Sequence, residues 1–128
     1  MAEMMLQDRP NATADRLAEW CNALIGYVRS GHPDLTNRQM ALLMTVHLQE
    51  GPHTVRGLAR NLNVSKPVIT RALNRLGALG YLRRQRDDSD KRNIFVACTE
   101  EGAAFLDEIG QLLGPADAER HGRRRVAG

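Results

Sequence analysis

Apolar residues recur along this chain first with a helical period, then with a strand period, then with a helical period again, and the changes of period mark out its elements. In residues 13–30, Leu17, Trp20, Cys21, Leu24, Ile25 and Val28 follow i, i+3, i+4 spacing. They form one apolar stripe on a helix that Gly31-His32-Pro33 ends. A second helix starts at Thr36, where a cap hydroxyl followed three residues on by the Gln39 amide has capping-box spacing. Met40, Leu42, Leu43, Met44, Val46 and Leu48 surround this helix almost completely, so it is expected to be the central buried one until Gly51-Pro52 breaks it. Thr54 caps a short third helix that faces Val55, Leu58, Ala59 and Leu62 inward, and Asn61-Leu62-Asn63-Val64 makes a turn. Ser65 then caps a fourth helix, with Pro67 in a first turn whose backbone donors have no helical partner. Ile69, Ala72, Leu73, Leu76 and Leu79 form its buried stripe, leaving Lys66, Thr70, Arg71, Asn74 and Arg75 outside.

After Gly80 the period shortens. Residues 81–86 and 93–98 read as two strands, with Ile94, Val96 and Cys98 alternating, joined by the polar tip Asp87-Asp88-Ser89-Asp90-Lys91-Arg92. Thr99 begins a last helix whose apolar residues are Ala103, Phe105, Leu106, Ile109, Leu112 and Leu113, stopped by Gly114-Pro115. The order predicts a mostly α fold with a small β-hairpin wing, a winged helix-turn-helix over residues 35–98. It is flanked by a flexible arm (1–12), an N-terminal helix (13–34), a C-terminal helix (99–114) and a disordered basic tail (115–128) that holds Arg123-Arg124-Arg125.

The 128 residues suit one domain, and the net charge of +3 matters less than its distribution. From Arg56 to Arg92 there are ten basic residues against Asp87, Asp88 and Asp90, a balance of +7, while the rest of the chain is net acidic. Such asymmetry points to a polyanion. No secretory signal is read at the start, and no apolar run approaches the ~18 residues of a membrane span, so a cytoplasmic protein is expected. Cys21 and Cys98 read as two reduced thiols packed as small hydrophobes. His32, His47, His53 and His121 lack ligand spacing, and neither a nucleophile elbow nor a phosphate loop is present. No metal, cofactor or enzymatic activity is expected.

A recognition helix must fit a major groove ~12 Å wide and offer donors to base edges. The fourth helix offers Ser65, Lys66, Thr70 and Arg71 near its start, with Arg71 placed for a bidentate contact to guanine and Asn74 for adenine or only for phosphate. At the hairpin tip Lys91 and Arg92 can reach a narrow minor groove, Arg92 oriented by Asp90. The candidate interface is completed by Thr54, Arg56, Pro67, Arg75 and Arg86. These residues predict double-stranded DNA as partner. The competing expectation is a winged helix that has lost its DNA contacts and serves as a protein-interaction module.

Leu35-Thr36, Gln39, Leu58-Ala59, Val64-Ser65-Lys66-Pro67, Thr70-Arg71, Leu76, Leu79-Gly80-Tyr81-Leu82, Asp90-Lys91-Arg92 and Cys98-Thr99-Glu100-Glu101-Gly102 resemble, in order and spacing, the MarR family of bacterial transcription regulators. The resemblance covers about residues 35–106. It implies a homodimer, most often a repressor, on a pseudo-palindromic operator, with residues 65–75 in the major groove and Arg92 at the minor groove. It also implies terminal helices that interleave between subunits and, in some members, small aromatic effectors or a peroxide-sensing cysteine on the first helix. The first helix here has about 18 residues, ~27 Å at helical rise, and a second C-terminal helix is not read. Dimer geometry and any effector pocket therefore stay open. The dimerisation surface is expected from Leu17, Trp20, Cys21, Leu24, Ile25, Val28, Phe105, Ile109, Leu112 and Leu113, unless these two stripes pack on each other within one subunit.

Overall fold

The structure, a computed structural model, describes residues 12–113. Its elements in chain order are α1 (Ala12–Ser30), α2 (Asn37–Leu48), β1 (His53–Thr54), α3 (Val55–Leu62), α4 (Lys66–Ala78), β2 (Leu82–Arg86), β3 (Ile94–Cys98) and α5 (Glu100–Leu112). The expected arm (1–12) and tail (115–128) lie outside the described residues, apart from Ala12, which is the first residue of α1. The chain divides into two compact units, one of residues 33–108 and one that joins α1 to the end of α5 from Ile109 onward.

Local chemistry sets the helix starts. Thr36 Oγ1 accepts from the Gln39 amide at 3.1 Å while Gln39 Oε1 accepts from the Thr36 amide at 2.9 Å, a complete capping box. Thr54 Oγ1 accepts from Gly57 N at 3.0 Å, and Ser65 Oγ from Val68 N at 3.4 Å. The turn between α3 and α4 closes on Asn63, which takes the left-handed conformation (φ 55°) that asparagine tolerates better than most residues. Asn63 N donates to Arg60 O, and Val64 N to Ala59 O at 3.0 Å, so the last carbonyls of α3 are satisfied before Ser65 starts the next helix. Helix α4 ends the same way at Gly80 (φ 80°), with Tyr81 N donating to Leu76 O at 2.9 Å.

The sheet contains the expected hairpin, β2 with β3, and adds one strand to it. It has three antiparallel strands in the order β1-β3-β2, because His53 and Thr54 pair with Val96 and Phe95. This short strand fastens the start of α3 to the wing. The lobe of residues 33–108 closes over Leu42, Leu43, Leu58, Ile69, Leu73 and Leu76, all essentially without solvent exposure. Leu48 departs from the expected buried surround of α2 and is 73% exposed, being the last residue of that helix. Tyr81 stacks on Phe105 with ring centroids 4.6 Å apart, and burial raises the Tyr81 phenol above its ordinary pKa. At the foot of α5, Thr99 Oγ1 accepts from Gly102 N at 3.0 Å and donates to Gly80 O at 2.5 Å, tying α5 to the end of α4. Gly102 itself has no room for a side chain: a Cβ there would meet the Tyr81 backbone oxygen.

The second unit is built differently. Along α1 only Ala23 is buried, while Leu17, Trp20, Leu24, Ile25 and Val28 are all exposed. Gly26 lets Leu112 approach closely, since a Cβ at that glycine would lie 3.0 Å from Leu112 Cδ2. Among the described residues no helix is long and apolar enough to cross a membrane.

Candidate nucleic-acid interface

Helix α4 buries Ile69, Ala72, Leu73 and Leu76 and leaves Lys66, Pro67, Thr70, Arg71, Asn74 and Arg75 exposed. Lys66, Thr70 and Asn74 follow at i, i+4, i+8, so they stand in one row along the outer face, with Arg71 and Arg75 in the row beside it. Ser65 is exposed at the helix start, where its hydroxyl serves the backbone. One member of the expected set has structural partners instead of a free surface. Thr54 is half-buried, capping α3 and pairing in β1, whereas its neighbour Arg56 is exposed.

The wing tip is ordered by two aspartates. Asp87 Oδ1 accepts from both the amide and the hydroxyl of Ser89, at 2.9 and 2.7 Å. These bonds hold its carboxyl below the ordinary pKa of 3.8. Asp90 Oδ1 accepts from Arg92 twice, from the amide at 3.1 Å and from Nε at 3.2 Å. The Arg92 side chain is still 84% exposed, so this ion pair adds little to stability. What it does is aim the guanidinium. Lys91 and Arg86 are exposed on either side of the tip.

Sequence reasoning passed over Arg84. Its Nη2 donates to Asn74 Oδ1 at 2.9 Å, linking β2 to the outer row of α4. The signal was there in the strand period: Arg84 lies two residues after the buried Leu82 and therefore on the same face of the sheet, though Arg84 itself is exposed. What the period could not supply is that Asn74 stands opposite.

The expected dimerisation residues separate into two groups. Leu17, Trp20, Cys21, Leu24, Ile25, Val28 and Leu113 are exposed, so Cys21 is not packed as a small core hydrophobe as its place in the stripe suggested. Phe105 and Ile109, at 3% and 6% exposure, belong to the chain's own interior, and Leu112 is half-buried; in a single copy they leave little surface for a partner. Cys98 is half-buried, and desolvation raises its thiol above the ordinary value.

Hairpin, turn and helix together define a winged helix-turn-helix. Residues 35–94 match the model of the MarR family. Streptococcus pneumoniae transcriptional regulator AdcR is 38% identical over 85 residues, covering 66% of this chain and 56% of that protein. The Escherichia coli multiple antibiotic resistance protein MarR is 32% identical over 81 residues, covering 63% and 56%. Among solved structures, a variant of E. coli MarR complexed with operator DNA matches at a TM-score of 0.59 and 29% identity over 78% of this chain and 65% of that one. A Thermotoga maritima transcriptional regulator shares the fold at a TM-score of 0.66 and 22% identity, covering 98% of this chain and 80% of the other. Through this lobe the chain is similar to the MarR family. The matched stretch spans little more than half the length of the AdcR and MarR proteins.

Proposed function

We propose that this chain is a sequence-specific, double-stranded DNA-binding transcription regulator that acts as a homodimer, most often to repress, in the cytoplasm where bacterial DNA lies. The observation that carries the reading is the joint exposure of the outer row of α4 and of an Arg92 aimed by Asp90, on a lobe similar to one that carries operator DNA in a relative. Helix α4 enters the major groove with Lys66, Thr70, Arg71, Asn74 and Arg75, while Arg86, Lys91 and Arg92 follow the minor groove beside it. The short side chains of Ser65 and Pro67 let the start of α4 come close to the backbone, and Arg56 on α3 neutralises phosphate.

One lobe reads one half-site, and half-sites on one face of the duplex lie ~34 Å apart, so two copies must be joined. The exposed residues of α1, with Leu113, supply the apolar surface for joining them. Occupying an operator would then block polymerase.

The test is an anisotropy titration of the duplex upstream of the chain's own gene against a scrambled duplex at two salt concentrations. Tight, selective binding that weakens as salt rises is the expected result. Absence of binding at low salt would overturn the reading in favour of a protein-interaction module.

A further inference from the structure

Arg84 determines what Asn74 can read. A guanidinium carries five N–H donors and no acceptor, so the Asn74 atom that meets Arg84 Nη2 at 2.9 Å must be the carboxamide oxygen. The amide is thereby held in one of its two orientations, with its NH2 as the end left for a ligand. An asparagine that reads adenine needs both ends: its oxygen accepts from N6–H while its nitrogen donates to N7. Here the oxygen already faces a cation. One lone pair of that oxygen remains, but a base donor approaching it would meet the guanidinium beside it, so Asn74 and Arg84 together present mostly donors; the major-groove edge that offers two adjacent acceptors to them is guanine, through O6 and N7.

We infer that Arg84 is a positioning residue that converts Asn74 from an adenine reader into a hydrogen-bond donor, so that the operator base facing Asn74 is guanine and adenine is disfavoured there. The inference rests on the proposed DNA-binding function and adds to it a second residue, from outside the recognition helix, that sets specificity. Both side chains are exposed, so in the free protein the bond competes with water and stabilises the fold little. Against DNA, water is excluded and a charge-assisted bond of this kind strengthens. The pair is therefore best made where it matters for discrimination. The donor that Asn74 meets comes from a strand packed beside α4 and not from the recognition helix itself.

The experiment is a binding series on operator duplexes carrying each of the four bases at every half-site position, comparing the unaltered protein with Arg84→Met and Asn74→Asp. The unaltered protein should prefer guanine over adenine at one position by on the order of tenfold. Arg84→Met keeps the aliphatic stem but removes the donor; at that position the preference should move toward adenine while the other positions keep theirs. Asn74→Asp keeps an oxygen for Arg84 but replaces the outward donor by an acceptor, and should move the preference toward cytosine, whose N4 amino group donates. A selective protein whose base preferences survive Arg84→Met, with affinity lowered equally on all duplexes, would make Arg84 a phosphate contact and overturn the inference alone. An unaltered protein that selects no sequence would overturn the regulator reading and this one with it. Circular dichroism of both variants should match the parent, since the two positions are solvent-facing.

Discussion

The two units of this chain treat their apolar residues in opposite ways. In residues 33–108 the large aliphatic side chains of α2, α3 and α4, apart from Leu48, are buried or half-buried, and the exposed surface of α4 is mainly polar and cationic. In α1 the order is reversed: the helix has a well-formed apolar stripe, yet Val28 is 81% and Trp20 51% exposed. A stripe of that kind stabilises nothing until something covers it. The comparison separates a lobe that encloses its own core from a helix whose apolar stripe is open to solvent. It also shows that spacing alone does not separate the two cases, since Phe105 and Ile109 follow a helical period like that of the α1 stripe yet are buried in a single copy.

The contrast breaks most clearly in the core of the lobe. Leu76 has no solvent exposure, and truncating it to alanine should cost about 2–5 kcal/mol, read as a lower urea midpoint with an unchanged slope. A loss well under 1 kcal/mol would mean that the lobe is less tightly closed than its geometry implies. The matching substitution in α1, Trp20→Ala, should leave the urea midpoint of the lobe nearly unchanged and act on association instead. As a large aromatic in an apolar patch it is placed to be a hot spot, worth on the order of 2 kcal/mol of dimer affinity. It is also the only tryptophan in the chain, so its emission should shift to shorter wavelength as protein concentration rises through the dimer dissociation constant. Emission and sedimentation mass that stay constant over that range would show that α1 is not the joining surface.

Much of the lobe was legible because its decisive interactions are local. The capping hydroxyls of Thr36, Thr54 and Ser65 each act three residues ahead, and Asn63 sits where a turn between two short helices needs a left-handed residue. The Asp90–Arg92 pair was readable for the same reason, being two residues apart. What escaped is non-local. Strand β1 is two residues long and exists only because Val96 and Phe95 lie alongside it, more than forty positions later in the chain. Arg84 meets Asn74 because β2 packs beside α4. The exposure of Leu48 and Cys21 depends on where α2 ends and on what α1 lacks, neither of which shows in a pattern of apolar positions.

Two arginines sharpen the division within the lobe's polar surface. Arg71, exposed on α4, has the reach for base edges, so Arg71→Ala should cost ~1–3 kcal/mol on the preferred duplex and narrow its margin over others. Arg92 at the wing should behave differently. Its removal should weaken all duplexes by a similar factor and reduce the slope of log affinity against log salt by about one. A sequence-dependent loss at Arg92 would place it at a base edge and not at a phosphate.

The smallest expected effect lies at the wing tip, where order depends on charge and not on burial. Hydrogen bonds from Ser89 favour the ionised form of Asp87 and lower its pKa in the folded chain. A depressed carboxylate pKa contributes order above the ordinary value of 3.8, and that contribution is lost as the pH falls through the lower, folded value. Between pH 5 and 8 the tip should therefore be indifferent to pH. In more acid solution the Ser89 amide should lose its protection from hydrogen exchange before the amides of α4 do, because the carboxylate that holds it becomes neutral while the core of Ile69, Leu73 and Leu76 has no titrating group among its own side chains. Asp87→Asn keeps one acceptor oxygen but removes the charge, and should bring the loosened tip to neutral pH with the unfolding midpoint unchanged. Simultaneous loss of protection in the tip and in α4 would show that the wing and the helix it flanks open as one unit.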